Sequence, residues 1–164
     1  MTTNPYAPPK AALDDVVPGP DAAAPALWNP NAAASWSLFL SPVFGAVLHM
    51  KNWQALGETK KAEQSRMWVI ASVAFFGILA VAAALLPESK VVDLGARAGA
   101  FGLLIAWYTQ SARPQARYIA GRFGTSYPKK GWGKPLLYAL LCFAGYLAVV
   151  FVVALAAALV MGEG

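Results

Sequence analysis

At 164 residues the chain has room for one domain. Its residues are 58% hydrophobic and only 13% charged, which excludes an ordinary soluble globular protein, where charged residues make up about a quarter. The net charge of +5 is concentrated in two segments, and a single cysteine, Cys142, excludes an intrachain disulfide.

Residues 1–30 hold seven of the twelve prolines, among alanines and Asp14, Asp15 and Asp21. Proline fixes φ and removes a donor, so this stretch reads as a disordered or extended Pro/Ala-rich tail ahead of a helical domain over 31–164. The spacing of Pro5 and Pro8 also fits a polyproline ligand, but a plain linker is the preferred reading. No secretory signal is expected, because no basic segment precedes a short apolar core. Thr2 stands where myristoylation requires glycine.

Asn31 is placed to cap a helix that begins in the alanines. An apolar run follows over 32–50, interrupted by Pro42 and Gly45 and ending at the sole histidine, His49. Its serines, Pro42 and His49 offset much of what its leucines, valines and phenylalanines gain in lipid. A kinked first span is therefore preferred, with a re-entrant or interfacial segment as the alternative.

Residues 51–66 are polar and mainly basic, and Gly57 is a natural helix stop before a new helix near Glu58. Residues 67–86 carry no charge, and about 20 such residues cross a hydrocarbon core. A third span covers 91–112, with Asp93 and Arg97 spaced to pair at i, i+4 near its start. Gly95, Ala98, Gly99, Gly102 and Ala106 give it small-residue faces suited to packing within a bundle or, secondarily, between copies. Residues 113–134 form a polar loop with six basic residues and no acid, and a last span runs over 136–161. The expected fold is all-α: a polytopic transmembrane helical bundle of four spans, the first kinked or re-entrant.

The segments 51–66 and 113–134 hold ten of the thirteen lysines and arginines. The positive-inside rule puts both in the cytoplasm. Four spans then place both termini outside, whereas a re-entrant first run leaves three spans and a cytoplasmic tail. Trp53, Trp68, Trp107, Tyr108, Trp132 and Tyr138 gather at one expected interface, and Trp28 and Trp36 would mark the other if the first run spans.

The chemistry is sparse. One histidine and one cysteine leave nothing at metal-ligand spacing, no phosphate-cradling glycine loop is present, and no cofactor is expected. Membrane-embedded proteolysis would need a serine–histidine pair, paired aspartates or a zinc motif at depth, so no catalysis is expected. His49, Asp93 and Arg97 are the polar membrane residues a transport pathway could use; their plainer readings are an interfacial helix end and a surface pair. The basic, aromatic composition of 113–134 superficially suits nucleic acid. Between two spans it fits attraction to anionic lipid better, so no nucleic acid is expected.

Two segments, NPNAAASWSLFLSPVFGAVLHMKNWQALGETKKA (29–62) and QARYIAGRFGTSYPKKGWGKPL (115–136), resemble together a group of small bacterial multi-pass membrane proteins of uncharacterised function. The shared patterns are Pro-x-Phe-Gly-x-x-Leu, Asn-Trp-x-x-Leu-Gly and Tyr-x-x-x-x-Trp-Gly-x-Pro-Leu. The resemblance implies a bacterial inner-membrane location and a common cytoplasmic face for the two basic segments. It carries over no catalytic residue.

Asn52, Trp53, Leu56, Gly57, Arg117, Tyr127, Lys129, Lys130 and Trp132 are accordingly the candidate interaction surface. The partner would be a protein or a second copy, and the role that of an accessory or regulatory subunit or of an immunity protein. A small channel or transporter subunit is the alternative.

Overall fold

Asn29 starts the first helix: its side-chain oxygen accepts from the backbone N–H groups of Asn31 (3.0 Å) and Ala32 (3.3 Å). The cap therefore lies two residues before the expected Asn31, with Pro30 at the first helical position, where a missing N–H costs nothing. The structure is a computed structural model and describes residues 24–87 and 89–162. The polyproline reading of the tail, with the rest of 1–23, lies outside them. The described residues form five α-helices: α1 (Pro30–Ala55), α2 (Thr59–Leu85), α3 (Lys90–Trp107), α4 (Arg113–Phe123) and α5 (Gly133–Gly162).

Helix α1 is two limbs. Ser41 interrupts it at φ 76°, ψ 160°. Pro42 dictates the extended ψ, because its ring excludes the helical region for the residue before it. The positive φ turns the chain back, in a region that costs a non-glycine residue about 1–3 kcal/mol. A straight helix would separate residues 30 and 49 by about 28 Å. Instead His49 Nε2 lies 3.3 Å from the Pro30 carbonyl oxygen, and Asn52 bonds to Trp28. The first run is thus a hairpin, the shape its re-entrant alternative calls for: the two ends of α1 lie side by side, with the Ser41–Pro42 turn at the far tip.

Gly45 lets the hairpin close. A Cβ there would collide with Ser37 Oγ and with the six-membered ring of Trp107 from α3. Gly45→Ala is expected to lower stability by about 1–3 kcal/mol, as overpacking does. The control Gly95→Ala, which meets open space, should lose nothing. Thermal unfolding in detergent, followed by tryptophan fluorescence, distinguishes the two.

Gly57, at φ 75°, ends α1 as expected, and α2 begins at Thr59. The third helix departs from expectation. It continues past Arg113 through a π-helical turn at Tyr108–Ala112 into α4, so the rod runs from Lys90 to Phe123 and only 124–132 remains a loop. Pro114 supplies the reason. In a regular helix its ring would press on the carbonyl of residue 110; here the Arg113 N–H reaches back five residues to the Tyr108 carbonyl. The Thr109 hydroxyl donates to the Ile105 carbonyl at 2.9 Å, with Ala106 O at 3.1 Å.

The tail departs as well. Residues 24–29 run alongside the last loop, the Leu27 N–H donating to Pro128 O (2.9 Å) and the Lys130 N–H to Leu27 O (2.8 Å). Leu27 is completely buried with Trp53, Leu56, Ala62 and Ile119, a gain of about 2 kcal/mol for a side chain of this size. The end of the expected disordered tail is therefore part of the core. It lies at the end of the molecule that holds both basic segments, not at the opposite end as four full crossings would require.

Candidate functional site: the stitched polar end

The core sits at this end. His49, Asn52 and Gln115 are all 0% exposed and lock three distant segments together. Asn52 exchanges hydrogen bonds with the Trp28 backbone: Trp28 N–H donates to Oδ1 (3.0 Å), and Nδ2 donates to Trp28 O (2.9 Å). Nδ2 also reaches Gln115 Oε1 (3.3 Å), and Gln115 Nε2 donates to the His49 carbonyl (2.8 Å). A carbonyl can only accept, so the His49 contact to Pro30 makes Nε2 the protonated nitrogen. Among the described residues Nδ1 has no hydrogen-bond partner, nor has Nε1 of the buried Trp107, whose ring meets His49 edge-on at 5.5 Å.

Two sequence expectations are corrected here. His49 is not an interfacial helix end but an interior residue of the hairpin base. Asn52, Trp53 and Leu56 are buried rather than displayed on an open surface: the hairpin turns them inward against α4 and the N-terminal segment, and of the three only Trp53 lines a groove that opens to the outside. Of the other candidates, Gly57, Arg117 and Lys129 are exposed, while Tyr127, Lys130 and Trp132 are half-buried. Lys130 lies over the Trp28 ring at 4.4 Å, and Trp132 packs beside Ala33, Phe44 and Leu48.

A second cluster surrounds Glu58. The Tyr118 hydroxyl donates to Glu58 Oε1 (2.7 Å), Arg122 donates to that hydroxyl (2.8 Å), and Lys61 Nζ lies 3.1 Å from Oε2. Lys61 also sits over the rings of Tyr118 (4.2 Å) and Trp53 (4.8 Å), which meet edge to face. The Tyr118 hydrogen bond, helped by Lys61 and Arg122 and opposed by burial, holds the Glu58 carboxyl below its ordinary value. A carboxylate depressed in the folded state adds stability above its unfolded pKa and loses it as pH falls through the folded one. The stability gap between the wild type and Glu58→Gln should therefore be open at pH 7. It should close as pH falls past the ordinary glutamate value of about 4.3, in thermal unfolding scans across pH.

At the other end, Arg97 and Asp93 pair as expected, Nη2 to Oδ2 at 2.9 Å, on an exposed surface. The small-residue faces of α3 are used only in part. A Cβ on Gly99 would stand 3.1 Å from Phe75 of α2, whereas Gly95 and Gly102 face open space; Ala98 is exposed and Ala106 half-buried.

Among the described residues, four helices, α1, α2, the α3–α4 rod and α5, have the length and apolar composition to cross a membrane, although α1 folds back on itself. With exposed leucine, isoleucine, valine and phenylalanine along α2, α3 and α5, they define a helical multi-pass membrane protein. Compared with models of protein families, with curated proteins and with solved structures, the chain matches none.

Proposed function

We propose that the protein is a bacterial inner-membrane protein that works by interaction, without catalysis, as an accessory or regulatory subunit or as an immunity protein. The location rests on the motif resemblance and on the positive-inside rule, which puts the basic end in the cytoplasm. The observation that carries the interaction reading is how little the crossing helices cover one another. In the most apolar stretches of α2 and of the α3–α4 rod only 6% of the residues are buried, and in that of α5 none is, while the basic end is tied together over long sequence distances. These helices leave apolar faces for a membrane partner or a second copy. Extraction into lipid nanodiscs and cross-linking from single cysteines along α5 should capture one defined neighbour. A lone monomer with no cross-link at any position would overturn the reading.

A small channel or transporter subunit is the second reading, favoured by the re-entrant hairpin and by the unpartnered nitrogens of His49 and Trp107. Irregular backbone at membrane depth is tolerated where it is buried in protein or lines a cavity. Solute or ion flux in liposomes that changes with His49→Ala would support it.

A further inference from the structure

Between α1, α2 and the π turn lies a groove of about 240 Å³, open on one side. Trp53, Pro114 and Tyr118 give it apolar walls. Lys61, Gln64, Gln110 and Ser111 contribute an ammonium, two amides and a hydroxyl. It sits where the charged part of each helix gives way to the uncharged part. Just beyond Gln64, towards the apolar run, Met67 and Ile70 are exposed, and on the other wall Ile105 and Tyr108 are exposed ahead of Gln110.

We propose that this groove binds the phosphate headgroup of an anionic phospholipid, with the acyl chains lying along those exposed apolar residues. The proposal rests on the membrane reading above. Hydrogen-bond donors beside an ammonium and apolar walls suit a phosphodiester. The acids of the two basic segments, Glu58 and Glu63, are each paired, with Lys61 and Arg66. With ten basic residues against those two acids, the surroundings stay positive. Lys61 is held in place by Glu58 and by the faces of Trp53 and Tyr118, so little side-chain freedom remains to be lost on binding. The π turn sets the wall that carries Gln110 and Ser111, a position such turns often take at functional sites.

The test uses full-length delipidated protein in detergent and native mass spectrometry with phosphatidylglycerol, phosphatidylcholine and soluble glycerol phosphate as probes. One phosphatidylglycerol should be retained in preference to phosphatidylcholine, and glycerol phosphate should not displace it. Lys61→Gln should weaken retention about fivefold. Gln64→Leu with Gln110→Leu, which leaves the Lys61–Glu58 pair intact, should weaken it similarly, whereas Lys129→Gln, an exposed lysine outside the groove, should not. Equal retention of both lipids, indifference to the groove variants, or displacement by glycerol phosphate would each overturn the proposal. Release of the protein from membranes by alkaline carbonate would instead overturn the membrane reading, so the two failures are distinguishable.

Discussion

Asn52→Ala should lower stability by about 3 kcal/mol and free the N-terminal segment from the core. The substitution removes only a small amide, but that amide closes three hydrogen bonds. The Trp28 N–H, the Trp28 carbonyl and the Gln115 side chain would all be left in a site where Asn52 and Gln115 are 0% exposed. An unsatisfied buried group costs about 1–3 kcal/mol, and rearrangement recovers part of the total. Asn52→Asp preserves the shape and should fare no better. A carboxylate cannot donate, so it would face the Trp28 carbonyl and Gln115 Oε1 as a third acceptor. Thermal unfolding in detergent gives the loss. Limited proteolysis gives its location, with cleavage between residues 24 and 30 appearing in both variants and absent from the wild type. Variants as stable and as resistant as the wild type would mean that Asn52 does not hold the hairpin base.

The second large effect is all-or-none. With Cys142 replaced by alanine, single cysteines at Ala26 and Thr125 should behave identically towards an impermeant thiol reagent applied to intact cells. A cysteine at Ser89 should behave oppositely. The expectation follows from the bonds of Leu27 to Pro128 and Lys130, which fix residues 24–29 at the end that holds the last loop. Helix α2 leads away from that end and α3 leads back to it, which leaves Pro87 and Ser89 on the far side. If the basic end is cytoplasmic, Ser89 labels and the other two are protected. Labelling at Ala26 with protection at Thr125 would restore the fully crossing first run.

Much of this architecture is legible in composition. The uncharged runs that became most of α2 and α5 are long enough to leave no other reading, and Gly57 announced the end of α1. Pro42 marked a break but not its angle. The reversal depends on the positive φ of Ser41, a residue type that carries no signal for such a conformation. Arg113 and Pro114 read as the start of a loop because a charge and a proline ordinarily end a span. The π turn before them absorbs the proline, and a widened turn leaves no pattern in the residues. The polar lock was harder still. Asn52 and Gln115 are uncharged and 63 positions apart, and each looks solvent-exposed among its basic neighbours. Gln115 gives no sign of its role in the sequence for that reason. Leu27 was hidden by the prolines around it, which made a buried anchor look like linker.

The Trp28 indole, which donates to the Gly131 carbonyl across 103 positions of sequence, has a consequence for how the chain is made. A ribosome delivers the hairpin first, yet the residues that fasten its base, Gln115 and the 128–131 loop, arrive only after the next two helices have been synthesised. Until then the hairpin has its two limbs and their turn but no latch. Of the described helices, the earliest made is thus among the last to be secured, and a chain released before residue 131 would carry α1 without its seat.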